Sequence, residues 1–246
     1  MRYVGVDGCK YGWVSVCFSS EEIIAVESVG SLISFYSSQA LIFVDIPIGL
    51  KSEINKIRDC EELARQFLPK NRKSSIFPVP CRESLQAETY SEASCINKAI
   101  LGKGISKQTW FIIPKIKEID QFLVQNKQER NNIKESHPEI SFQFLNDGKP
   151  LKYTKKTENG IIERLHILSQ FKPEAEKLYN LGLKKYRRKE IAKDDLLDAM
   201  CLAITAELSE LYGKRIPIQP EKDEYGIEMA IHYADLSRLH KKCPKT

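Results

Sequence analysis

Residues 40 to 50 read ALIFVDIPIGL, and they set the frame for the rest of the chain. The run Leu41 to Val44 is apolar without alternation, as expected of a strand covered on both faces, and Pro47 ends it just after Asp45. Such a strand lies inside a sheet. Upstream, RYVGVD (2 to 7), WVSVCF (13 to 18) and EIIAVESV (22 to 29) are three β-rich runs that read as a meander, with a helix expected around 31 to 38. The first of these also ends in an acid, Asp7. In an α/β sheet ordered 3-2-1-4, strands one and four are neighbours, which would put Asp7 and Asp45 side by side on one strand-end edge.

Beyond residue 50 the pattern turns helical. RDCEELARQFL (58 to 68) and KEIDQFLVQ (117 to 125) are amphipathic pieces around a Ser- and Pro-rich loop, RKSSIFPVPCRE (72 to 83), so an inserted helical lobe is expected at about 51 to 131. NNIKESHPEISFQFL (131 to 145) predicts a short strand, a turn at Pro138 and a helix, and TENGIIERLHILSQF (157 to 171) predicts another helix. The tail, RIPIQPEKDEYGIEMAIHYAD (215 to 235), is punctuated by Pro217, Pro220 and Gly226 and predicts one short strand returning to the surface. With no internal repeat, low-complexity tract or linker, residues 1 to 246 are read as one domain carrying that lobe.

The remaining segment, KDDLLDAMCLAITAELSELYG (193 to 213), has apolar residues at helical spacing, Leu196, Leu197, Met200, Ile204, Leu208 and Leu211, and a natural stop at Gly213. A helix built to be buried thus begins with Asp194, Asp195 and Asp198, the last two on roughly one face. One explanation is structural: Asp194 caps the helix and the others favour the positive end of its dipole. The other is chemical. Crowded, buried carboxylates repel one another, so acids brought together from strands one and four and from this helix would require a cation, and oxygen-only ligands select Mg²⁺ or Mn²⁺.

Composition narrows the class. The 246 residues are 42% hydrophobic and 29% charged, as in an ordinary globular protein with an ample core. No run of about 18 apolar residues suits a membrane span, and MRYVGVDG lacks a signal peptide's apolar region, so a cytoplasmic location without membrane association is expected. Seven cysteines without a CxxC pair argue against a zinc knuckle or a secreted disulfide framework and predict buried thiols. The four histidines show no zinc-ligand spacing. A net charge of +5 is concentrated in KNRK (70 to 73), KKYRRK (184 to 189) and HKK (240 to 242), clusters able to meet phosphates but also ordinary solvated faces.

Taken together, YVGVDGCKYGWV, DIPIGL, RKSSIFPVP, GKGISKQTWFIIPKIKEID, ESHPEISF and DDLLDAM resemble the DUF429 family, a set of predicted RNase H-like nucleases, over most of the chain. The resemblance implies an α/β fold with an RNase H-like mixed sheet in the order 3-2-1-4-5, flanked by helices. It also implies phosphodiester hydrolysis by a two-metal-ion mechanism. Carried over by position, the implied metal ligands and catalytic acids are Asp7, Asp45, Asp195 and Asp198, the last two in an arrangement that also resembles the late helix of RuvC-type resolvases. The implied cofactor is Mg²⁺ or Mn²⁺ and the implied partner is nucleic acid, DNA or RNA; a homodimer is one option for the oligomeric state.

Further candidates come from the motifs around these acids. In ESHPE, Glu135 or Glu139 offers another metal ligand, and His137 a proton shuttle or a group that orients the leaving oxygen, although a histidine before proline is commonly a turn residue. Arg72, Ser74, Ser75, Arg82, Lys103, Gln108 and Lys115 are candidate phosphate contacts, or equally residues that hold the lobe together. Trp110 and Phe111 can stack a base, but their apolar neighbours favour core packing. Two rival readings stand beside the nuclease. DGCKYGW resembles the first phosphate loop of actin-like and sugar-kinase ATPases, but the second glycine-rich loop those enzymes need is missing. A non-catalytic nucleic-acid or protein-binding module would keep the acids for structure.

Overall fold

The computed structural model describes residues 1–36 and 39–236; the HKK cluster, Cys243 and the end of the helix expected at 31 to 38 lie outside them. Among the described residues two compact units emerge: 1–36, 39–45, 132–215 and 232–236 belong to the first, and 46–131 with 216–231 to the second. The lobe expected at about 51 to 131 falls within the second unit, which also takes in part of the tail.

The first unit is built on a five-stranded mixed sheet: β1 (Arg2–Gly8), β2 (Trp13–Cys17), β3 (Glu22–Val26), β4 (Ala40–Val44) and β5 (Ile133–Glu135). Their order is β3-β2-β1-β4-β5, the order implied by the resemblance. β1, β2 and β3 are antiparallel neighbours, whereas β4 runs parallel to both β1 and β5. In that register Val6 pairs with Val44 and Val44 with Glu135. The Asp45 N–H then donates to Val6 O at 3.0 Å, and the Ser136 N–H to Val44 O at 3.0 Å. Three strand ends are thereby levelled at one edge of the sheet.

Helices α1 (Val29–Tyr36), α5 (Pro138–Leu145), α6 (Glu158–Phe171), α7 (Ala175–Lys185) and α8 (Lys193–Tyr212) complete this unit. Every residue of α8 from Leu196 to Ala206 is buried, so the helix is sequestered on all sides rather than along the single stripe its periodicity suggested. Leu211, read as part of the apolar face, is 82% exposed. The close packing of α8 on the sheet depends on Gly5: a Cβ there would lie 1.9 Å from Ala199 O and 2.2 Å from Ala203 N. Strand and helix backbones touch. Short side chains on both sides permit it, and the contact fixes where the first turn of α8 points.

The edge strand β3 is closed by side chains. Tyr186 Oη accepts from the Ala25 N–H at 3.1 Å and donates to Ile23 O at 3.2 Å, and Lys185 Nζ donates to the same carbonyl at 2.9 Å. Part of the KKYRRK cluster therefore blunts a sheet edge that would otherwise be open to pairing. α7 itself gave no sequence expectation. The tail supplies two strands instead of the one expected at the surface: β6 (Gly213–Ile216) pairs with β7 (Ile231–Ala234). β7 is largely buried, and its His232 bridges to Ser136 beside β5.

In the second unit, α2 (Cys60–Phe67), α3 (Tyr90–Leu101) and α4 (Lys107–Gln125) are joined by irregular segments. α3 and α4 start as their sequences direct, with Thr89 and Ser106 side chains accepting from the N–H groups of Glu92 and Thr109. Five described cysteines are buried free thiols, as expected, and Cys95 is exposed. Among the described residues no helix is long and apolar enough to cross a membrane.

Candidate metal centre

Parallel pairing of β1 with β4 brings Asp7 and Asp45 to the same edge, and the first turns of α8 deliver Asp198 to it. Ligand oxygens of these three side chains all lie within 4.8 Å of one another. Asp7 is 8% exposed and Asp198 2%, while Asp45 is half-buried. Asp7 Oδ1 accepts the Gly8 N–H at 2.6 Å, which sets the carboxylate at the turn after β1.

Their electrostatics follow from crowding. Burial, then the charges of Asp45, Asp198 and Asp195, push the Asp7 carboxyl well above the usual carboxylate range, against a lowering pull from Lys155. Burial also raises Asp45, with Glu139 adding to the effect and His137 and Lys155 opposing it. Asp198 is pushed up to about 6 by burial, despite a hydrogen-bonded lysine beside it. Two buried acids and one half-buried one, held in mutual repulsion, form a donor set of carboxylate oxygens alone. Such a set fits a hard divalent cation, which replaces repulsion by attraction at each oxygen. The trio could hold a metal ion; its identity is not fixed by the donor set, since Mg²⁺ and Mn²⁺ both suit it.

Asp195 stands apart from the converging trio. Its Oδ2 accepts the Ala192 N–H at 2.9 Å, so it closes the start of α8 from the third helical position. The cap role expected for Asp194 thus belongs to Asp195, and Asp194 instead lies 3.5 Å from Lys155 Nζ. Asp195 acts on the centre through its charge on Asp7.

His137 and Glu139 of the ESHPE motif lie near enough to Asp45 to shift its carboxyl. Glu135 is buried at the end of β5, outside the converging carboxylates. His137 caps α5 by position and is near enough to Asp45 for its charge to pull that carboxyl down. Glu139 accepts from Arg164 at 2.7 Å. Arg164 is fully buried; it also donates to Gly160 O at 3.1 Å and lies 5.3 Å over the Phe142 ring. Glu139 is thereby held by an arginine rather than presented as an open ligand.

Two residues here gave no signal in the sequence. Lys155 Nζ donates to Asp198 Oδ2 at 2.8 Å, and although burial alone would lower it, the charges of Asp198, Asp7 and Asp45 raise its pKa. Arg164 is the other. Both belong to a segment without a recognisable motif, and only the fold places them beside acids 43 and 25 residues away.

The seven candidate phosphate contacts, Arg72, Ser74, Ser75, Arg82, Lys103, Gln108 and Lys115, all belong to the second unit. Arg82 is a correction. Its guanidinium is matched by carboxylates, Asp120 at 2.8 Å, Asp223 at 2.5 Å and Glu224 at 2.7 Å, and it stacks 4.6 Å from the Tyr225 ring. Three acids around one arginine make it a structural tie in that unit, not an open phosphate receptor. Ser75 Oγ donates to Arg72 O at 2.8 Å, and Asn97 Nδ2 donates to Lys103 O at 2.6 Å. Ser74, Lys103 and Gln108 are exposed and Lys115 is half-buried. Trp110 packs edge-on against Tyr90 at 6.4 Å, whereas Phe111, read as a core residue, is 75% exposed.

A family model described as "Protein of unknown function (DUF429)" matches residues 5–222, and the chain belongs to that family. No curated protein and no solved structure matches it.

Proposed function

We propose that this DUF429 protein is a nuclease that hydrolyses phosphodiester bonds in DNA or RNA, with Mg²⁺ or Mn²⁺ held by Asp7, Asp45 and Asp198. The observation that carries the reading is the convergence of these three carboxylates from β1, β4 and α8 to within 4.8 Å of one another, each with a raised pKa. A bound divalent cation supplies charge neutralisation at the phosphoryl oxygens and makes an attacking water more acidic. The chain supplies the rest. Asp7 and Asp45 fix two ligand positions on rigid strand ends, and Asp198 fixes the third on a helix packed backbone to backbone against β1. His137, near Asp45, is the group available to carry a proton between the reacting oxygens and solvent.

A polyanionic substrate suits the surroundings. Lys10 and Tyr11 in the turn after β1 are exposed, as are Arg187, Arg188 and Lys189 ahead of α8. The Tyr11 N–H donates to Glu190 O at 3.2 Å, which ties these two basic segments together. Lys152 and Lys156, flanking Lys155, are exposed too. Lysines and arginines in this arrangement contact phosphates without reading bases.

The test is cleavage of labelled single-stranded, duplex and branched DNA and RNA in Mn²⁺. Activity is expected to vanish in EDTA and in Asp7→Asn; cleavage that survives in clean, folded Asp7→Asn protein rejects the assignment. A second reading, a non-catalytic nucleic-acid-binding module, draws support from the Lys155–Asp198 ion pair, which gives the acids a partner of their own. It predicts nucleic-acid binding indifferent to EDTA, with no cleavage of any of these substrates.

A further inference from the structure

Lys155 stands where a cation belongs. It comes from the segment between α5 and α6, and its Nζ reaches Asp198 Oδ2 at 2.8 Å and Asp194 Oδ2 at 3.5 Å. Both other members of the trio, Asp7 and Asp45, also feel its charge. Its side chain is 38% exposed while that of Asp198 is 3% exposed, so the ammonium enters the acidic pocket from the solvent side. A lysine is suited to this: a compact charge on a flexible four-carbon stem, able to donate to several oxygens at once.

We infer that Lys155 is a tethered counter-ion that fills one of the two cation positions of a two-metal template, so that the centre takes one divalent ion beside Lys155 rather than two. This rests on the metal-dependent reading given above and concerns how many ions the centre holds. Charge supports it. Within the trio, three carboxylates and the Lys155 ammonium leave two negative charges, which one divalent ion neutralises. Geometry supports it as well. Ions of a two-metal site lie about 4 Å apart, and an ammonium 2.8 Å from Asp198 Oδ2 occupies space at that oxygen that a second ion would need.

The decisive experiment titrates Mn²⁺ alone into the full-length, chelator-stripped chain by calorimetry, with free Mn²⁺ counted by electron paramagnetic resonance. Wild type is expected to bind one ion per chain. Lys155→Met, which keeps the stem and removes the charge, is expected to bind two, the first about tenfold tighter or more, since deleting a competing cation costs the entering ion nothing. Two ions in wild type overturn the inference, as does one ion at wild-type affinity in the variant; either leaves the metal-dependent reading intact. No binding by either protein overturns both. Thermal denaturation covers a variant that folds poorly: Lys155→Met should melt below wild type in EDTA and recover to within a few degrees of it in Mn²⁺. Failure of Mn²⁺ to restore it assigns Lys155 a structural role only and overturns the inference.

Discussion

Replacing Asp7 by Asn should make the metal-free protein more stable while abolishing its response to metal. Asn keeps the oxygen that accepts the Gly8 N–H, so the turn after β1 survives. What disappears is a buried charge whose ligand oxygen lies within 4.8 Å of those of Asp45 and Asp198. Two unit charges at that distance repel by about 3.5 kcal/mol at an effective dielectric of about 20. Burial of the charge and repulsion from Asp45, Asp198 and Asp195 are partly offset by attraction to Lys155, so the net relief is at least on the order of one pair, about 3 kcal/mol. At about 2–4 °C per kcal/mol for a chain of this size, Asp7→Asn should melt about 6–12 °C above wild type in EDTA at neutral pH. In Mn²⁺ at about one hundred times its Kd, wild type should gain about 2.7 kcal/mol and the variant nearly nothing. Of the two tryptophans, Trp13 is fully buried in β2 and Trp110 belongs to the second unit. A Trp110→Phe background therefore lets fluorescence report the unit that contains the carboxylates. The reasoning is refuted if Asp7→Asn melts below wild type in EDTA, or if Mn²⁺ raises both proteins equally.

Three further outcomes are expected. Asp198 rises from 3.8 to about 6 on folding, so the folded state holds its proton more tightly; in EDTA the resulting stability is present below about pH 4 and falls by about 3 kcal/mol as pH rises to about 7. Urea denaturation across pH 4–8 should show that slope in wild type and a shallower one in Asp198→Asn; equal slopes contradict the assignment. Arg82→Met leaves the carboxylates of Asp120 and Asp223 buried without their cation and should cost the second unit about 3–5 kcal/mol, read from Trp110 fluorescence. Calorimetry should find its Mn²⁺ affinity unchanged, because every converging carboxylate lies in the first unit. Gly5→Ala drives a Cβ into the backbone of α8 and should cost about 3 kcal/mol or more, with Mn²⁺ binding weakened alongside; a wild-type melting temperature in this variant would show that the contact yields cheaply.

The sheet was legible because its evidence is local. Leu41 to Val44 and the first β-rich run announce buried strands, and each ends in the aspartate that matters. Asp198 was legible for a related reason, as an acid one turn into an apolar helix. Asp195 was ambiguous because two acids three residues apart share a helix face whether they bind a metal or close the helix start, and what the fold adds is one bond from the Ala192 N–H to Asp195. Arg82 misled because a basic residue in a Ser- and Pro-rich loop reads as a phosphate contact, while its partner acids come from 38, 141 and 142 residues away. Lys155 is the sharpest case. Its sequence surroundings, KYTKKT, describe an ordinary exposed loop, and only the fold carries its amine to Asp198.

Packing and chemistry at this centre obey one constraint. For Asp198 to meet Asp7, α8 must approach β1 more closely than a side chain at position 5 allows, and Gly5 is the residue that permits it. The same approach buries the first turns of α8 and strips water from the carboxylates, which raises their pKa values. A larger residue at position 5 would let water in and ease the repulsion, but it would also spread the ligand oxygens. The aspartates are thus held in an unfavourable arrangement by favourable backbone packing, and the repulsion is relieved when a carboxyl takes up a proton or a positive charge lies among them. Lys155 provides part of that charge from within the chain. If a divalent cation supplies the remainder, as proposed, the stability of this fold should depend on that cation even before any substrate is present.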